Sequence, residues 1–180
     1  MSNIEILVEH GSKELFKIFR DTSIGILDLR TADCVSQTSD ILPTLRKLEK
    51  LHLWGSYTGH FAIQLLASLH CISLQTGECS CEWLCNLLIN LSALNHPVEC
   101  KLWHFVVHSR EEDCGNDSNK HLTDLRSKLL SCDMNKIEIL VKNGSKELFE
   151  ILFDTNIRIR VLRTADYVFQ TSEIRRTRTK

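Results

Sequence analysis

A chain of 180 residues with 43% hydrophobic side chains and 25% charged ones carries enough apolar material to bury a core, which excludes an intrinsically disordered chain. Its 22 basic and 23 acidic residues leave a formal net charge of -1, without a chain-wide electrostatic footprint for nucleic acid or an anionic membrane; neither is expected as a partner. Two prolines and seven glycines fit regular elements joined by short turns.

The first residues intersperse Glu5, Glu9, Lys13 and Glu14 among apolar positions, unlike the basic start and unbroken apolar stretch of a secretory signal. A reducing, cytoplasmic setting is the resulting expectation. The chain then alternates two rhythms. Met1, Ile4 and Ile6 predict a strand, because residues two apart share a face. Leu15, Phe16, Ile18 and Phe19 follow a cap at Ser12 with helical spacing. Further strands are predicted at Ile24, Leu27 and Leu29, at Leu48, Leu51 and Leu53, and at Leu69, Ile72 and Leu74, with a helix over 40–48 between the first two. A helix over 80–91, a weaker strand at Pro97, Cys100 and Leu102, a polar inserted loop over 106–119 and a helix over 120–130 come next. The weakest strand is Ile157, Arg160 and Leu162, where Arg160 replaces an expected core residue. The apolar stretches 61–74 and 83–94 are interrupted by Gln64, Ser68, His70, Asn86 and Asn90, so neither predicts a membrane span.

A long duplication underlies this alternation. Segment 4–41 recurs at 137–174 without a gap, 133 residues later, with 26 of 38 positions identical. Met1 falls opposite Met134, and the second copy breaks into RRTRTK where the first continues as LPTLRKLEKLHLW. The expectation is a single array over 1–180 that is a fragment of a longer one.

Taking the middle apolar residue of each strand as a marker gives Ile4, Leu27, Leu51, Ile72, Cys100, Ile137 and Arg160, separated by 23, 24, 21, 28, 37 and 23 residues. A period near 23 with a recurring strand formula favours a parallel-stranded solenoid over a doubly wound sheet. LEKLHLWGS and IGILDLRTA resemble the strand formula LxxLxLxxN of the leucine-rich repeat proteins. The asparagine of that formula is absent, with Ala32, Ser56 and Gly77 in its place. The resemblance implies an α/β solenoid, a curved array of parallel strands with helices on the outer side. The helical spacers are similar to those of intracellular members, including the repeat regions of NOD-like innate-immune receptors. A competing likeness, that of EILVEHGS to the end of an ankyrin unit, lacks the TPLHxA signature and the 33-residue period.

Chemistry-bearing clusters are sparse. Cys79, Cys81 and Cys85 (CSCEWLC) lack zinc-finger spacing and read as small buried apolar residues. The eight cysteines follow no disulfide spacing, the eight histidines are scattered, and there is no Gly-rich phosphate loop. The acidic stretch HSREEDCGNDSN lacks the ligand pattern of a calcium loop. No enzyme activity, metal or cofactor is expected, a cysteine- or zinc-dependent enzyme being the remotest alternative. Asn-x-Ser sequons stand at Asn90, Asn116 and Asn143, the first among apolar neighbours that predict burial.

Residues between the apolar formula positions project to the concave side of such an array and form the expected surface for a protein ligand. They include Glu5, Arg30, His52, Trp54, Gln75, Lys101, Trp103, His104 and Glu138, with Arg30, Trp54 and Trp103 foremost because Arg and Trp dominate binding hot spots. The alternatives are a truncated structural fragment without activity of its own, and tryptophans that merely cover strand ends.

Overall fold

Alternating apolar residues, each run followed by a helical or irregular connection, give parallel strands laid down one after another. In the computed structural model, which describes residues 4–10, 13–31, 35, 41–58, 61, 63–108, 116–153 and 155–162, seven strands form one open, all-parallel sheet. These are β1 (Ile4–Val8), β2 (Ile24–Leu29), β3 (Lys50–Tyr57), β4 (Cys71–Ser80), β5 (Val98–His108), β6 (Ile137–Lys142) and β7 (Arg158–Val161). Spatial order equals chain order. A doubly wound sheet reverses its strand order at a switch point, so that alternative is excluded, whereas sequential parallel stacking is compatible with a solenoid.

Two apolar ladders cross the sheet. One runs Ile6, Leu27, Leu51, Ile72, Cys100, Ile139 and Ile159; the other runs Val8, Leu29, Leu53, Leu74, Leu102, Val141 and Val161. The central members of both are buried and join one core. Four of the expected markers are in register. Ile4 and Ile137 are not: they pair with Ile24 and Val98, one pleat early, and Ile6 and Ile139 take the marker place. In β7 the marker is Ile159, while Arg160 pairs with Leu140 and is exposed, because a guanidinium in the core row would be buried without compensation.

The connections cover the ladder face. Helices α1 (Lys13–Lys17), α2 (Cys81–Ser92), α3 (Asn116–Ser131) and α4 (Lys146–Leu152) occur at predicted places. Ser80 caps α2 by accepting from the Trp83 amide at 3.2 Å, and Ser145 caps α4 by accepting from Leu148 N at 3.4 Å. Such caps contribute about 1 kcal/mol each. The α2 face of Trp83, Leu84, Leu87, Leu88 and Leu91 is buried, with Trp83 stacked on Tyr57 at 4.7 Å and edge-on to Phe61 at 5.1 Å between ring centroids.

Two expected elements differ. The helix over 40–48 shrinks to a 3-10 turn at Leu42–Thr44, because Pro43 allows only a first helical turn there. The inserted loop over 106–119 is shorter than expected. Strand β5 continues through Val106–His108, since Phe105 and Val107 both reach the core, and α3 begins at Asn116.

A row of left-handed residues crosses the sheet beyond the ladders: Gly55 (φ 112°), Thr76 (φ 43°) and His104 (φ 53°), with Asn143 (φ 56°) just after β6. Thr76 is an extra residue opposite β3, since Trp54 pairs with Gln75 and Gly55 with Gly77. This bulge inverts the inward parity of β4 and β5, from Ile72 and Leu74 to Cys79, and from Cys100 and Leu102 to Phe105 and Val107. Gly77 permits it: a Cβ there would lie 2.0 Å from the Gly55 carbonyl oxygen.

Candidate interaction surface

Side chains alternate across a strand, so residues between the ladder positions line the opposite face of the sheet. Three rows result. The first contains Glu5, Ile26, Lys50, Cys71, Glu99, Glu138 and Arg158; the second Leu7, Asp28, His52, Ser73, Lys101, Leu140 and Arg160; the third Trp54, Gln75, Trp103 and Lys142. Most are half-buried, as expected of an open sheet face whose larger side chains lean on one another. Cys71 and Ser73 are buried because they are short and flanked by Lys50, His52, Glu99 and Lys101.

The expected residues Arg30, His52, Trp54, Lys101 and Trp103 share this face. The Arg30 guanidinium lies 4.2 Å from the Trp54 ring centroid, and its Nε is 3.2 Å from Asp28 Oδ1 without hydrogen-bond alignment. Desolvated stacking of this kind contributes about 0.5–2 kcal/mol. His52 Nδ1 stands 3.8 Å from Asp28 Oδ2, so one buried carboxylate adjoins both the guanidinium and the imidazole. Burial pushes the His52 pKa below the usual histidine value of 6.5, with Asp28 opposing in part.

Beyond the buried Ser73, Gln75 Nε2 donates to Ser73 Oγ at 3.1 Å. Lys101 Nζ donates to Glu99 Oε2 at 2.8 Å, which raises the Lys101 pKa. Glu138 forms an ion pair with Arg160. Trp103 and Trp54 flank Gln75 in the third row, each with an indole N–H lacking an acceptor among the described residues. His104 is set apart. It occupies the bulge, exposed, with Nδ1 3.1 Å from Asn143 Nδ2.

Sequence reasoning missed Asp28, Ser73 and Glu99. Their signal was available: each lies between two apolar ladder residues or next to one, on the same alternation that selected His52 and Lys101.

A second feature is a groove of about 410 Å³ at the starting ends of β4 to β7, lined by His70, Glu99, Lys136, Glu138 and Arg158 among others. His70 and His96 approach there with ring centroids 4.5 Å apart. Lining charges of both signs and wide access suit a protein surface more than a small-molecule pocket.

Five cysteines among the described residues are buried. Cys71 and Cys85 have thiols pushed up to about 11 by burial, and Cys79, Cys81 and Cys100 are also raised, so none is a ready thiolate at neutral pH. Among the described residues no three His, Cys, Asp or Glu side chains are grouped to hold a metal ion. No described helix is long and apolar enough to cross a membrane. Asn90, contrary to expectation, is exposed on α2 with its Nδ2 donating to Asn86 O; Asn143 is exposed too. Compared with protein-family models, curated proteins and solved structures, this chain matches none of them.

Proposed function

We propose that the chain is a protein-recognition module of leucine-rich repeat type that binds a protein ligand across the open face of its sheet. The observation that carries this reading is the cluster around Trp54 and Trp103: two half-buried indoles on one face, one stacked by Arg30, both with unpaired N–H groups, ringed by charges of both signs. Large amphipathic anchors amid paired charges are the composition of a binding hot spot and its rim. Alternating charge disfavours a polyanion and favours a protein of matching pattern. Recognition then works by shape and side-chain complementarity, without cofactor or catalytic centre. The resemblance to NOD-like receptor repeats extends the proposal to a sensing region of an innate-immune receptor in the cytoplasm.

Photo-crosslinking tests it. A photoreactive residue replacing Lys101 is expected to give discrete protein adducts in cell extract, and the same probe replacing Lys128 on α3 is not. The adducts should vanish when Trp54 and Trp103 are both changed to alanine. Equal labelling from both positions, or adducts indifferent to the two tryptophans, overturns the proposal.

A second reading, a repeat unit that acts only within an array, is favoured by one specific observation: Ile4 and Leu7 on β1, and Leu15 and Ile18 of the segment after it, are apolar and exposed.

A further inference from the structure

The exposed apolar residues of the first copy have buried counterparts in the second. Ile4, Leu7, Leu15 and Ile18 are 49%, 49%, 37% and 69% exposed; the identical residues 133 positions later include Ile137, Leu148 and Ile151 at 1%, 0% and 4%, with Leu140 half-buried. What buries the second set is known. Strand β6 pairs with β5 through Val98–Ile137, Cys100–Ile139 and Leu102–Val141, and α4 packs on α2 and β5. The surface made by β5 and α2 is therefore a seat already shaped for the sequence IEILV followed by a GSKELF helix, and the chain carries that sequence twice.

We infer that β1–α1 is a docking surface for a second copy of this chain, entering the β5–α2 seat of that copy in place of its own β6–α4. The inference does not depend on what the open face binds. Strands β2 and β3 of the entering chain would then continue the acceptor's sheet in the same parallel direction, where its displaced β7 had been. Such a contact is head-to-tail and extends into a row of chains instead of closing on itself. The two occupants present the same side chains at Ile137, Ile139, Val141, Leu148 and Ile151, but the entering segment brings Phe19 where the fully buried Leu152 stands, a larger side chain that weakens its fit. The acceptor's own segment has the advantage of tethering, equivalent to a local concentration in the millimolar range. Exchange accordingly rises with chain concentration and with any weakening of the resident β6. A charge difference also opposes it: an entering Glu5 would take the place of Glu138 beside Glu99, but the Arg160 that pairs with Glu138 has Leu27 as its counterpart.

The test uses two preparations of the full chain, Leu7→Cys and Lys101→Cys, mixed at increasing concentration and oxidised with glutathione disulfide. Residue 101 faces Leu140 in the native register, so an entering chain brings residue 7 to the same place. A peptide linked between positions 7 and 101, identified by mass spectrometry, is expected to grow with concentration and to exceed a Leu130→Cys plus Lys101→Cys control. Placing Ile139→Asp in the acceptor should raise the linked product by about fivefold or more, by removing the tethered competitor. Ile6→Asp in the entering chain should abolish it, and Glu5→Lys should increase it. A linked 7–101 peptide no more abundant than that of the Leu130 control at every concentration of the Leu7→Cys and Lys101→Cys chains overturns the inference, whatever the Ile139→Asp variant does.

Discussion

Residues 4–29 and 137–162 are identical at 17 of 26 positions, yet they differ in burial and in register. In β6 the run Ile137, Ile139 and Val141 is buried between β5 and β7, while in β1 the same run has a strand on one side only and Ile4 stays half-exposed. Identical side chains thus contribute different stability according to what stands beside them. The partner strands differ for another reason. Gly25, Leu27 and Asp28 become Arg158, Arg160 and Val161, and the register moves by one: Ile6 pairs with Leu27, but Ile139 pairs with Ile159, the counterpart of Ile26. A one-residue slip exchanges the faces of a strand, here turning both arginines outward. Burying Arg160 would cost several kcal/mol, more than the slip forfeits in contacts at a sheet edge.

The largest expected effect compares Ile139→Ala with Ile6→Ala. The first empties a fully buried position and should cost about 2–5 kcal/mol in urea unfolding, the second much less because Ile6 is only partly covered. Equal losses would mean that β1 is as buried in solution as β6. Next comes chemical accessibility: Cys100 lies beside Ile139 in the register, so alkylation of Cys100 should rise sharply in Ile139→Ala and stay slow in Ile6→Ala and in the unaltered chain. Its raised thiol pKa means that labelling reports opening of the strand pair.

A third experiment restores the first copy's chemistry through Arg158→Gly with Arg160→Leu. Nuclear Overhauser contacts from Ile139 should move from residue 159 to residue 160, with stability raised by about 1 kcal/mol from one more buried leucine at an edge strand. Persistence of the Ile139–Ile159 contact would mean that the arginines do not set the register.

The smallest effect concerns Asp28, which the second copy lacks. His52 takes up a proton less readily in the folded chain than in the unfolded one, where its value is near 6.5. Its contribution is therefore complete above pH 6.5 and declines as pH falls from there toward the lower folded value. The melting temperature should drop slightly between pH 7.5 and 5.5, and His52→Gln should flatten that drop.

Much of this architecture was legible because Leu27, Leu51 and Ile72 each begin a single inward alternation that admits one register. The first copy was ambiguous for a physical reason: Ile4, Ile6 and Val8 alternate over five residues, so the formula fits equally well one pleat early. The bulge was illegible, since the β-branched Thr76 is not a residue that favours a positive φ and the close approach of Gly77 to Gly55 is not visible in the sequence. The binding-face candidates followed from strand parity, which held up to Trp103 and failed at His104, where the bulge begins. Asp28 escaped notice because acidic side chains are seldom buried, and what stands beside it is the Arg30 guanidinium and, from the neighbouring strand, the His52 imidazole.

Because strand order follows chain order, each strand's main-chain bonds reach only the strand before and the strand after it. The sheet is mechanically a ladder, loosening from its outer rungs, and a disturbance at one rung fades with each one crossed. Trp54 and Trp103 stand on β3 and β5, at the middle of that ladder. A ligand gripping both would clamp three successive rungs together and stiffen the array where it is already firmest, leaving the two copies at either side free to fray independently.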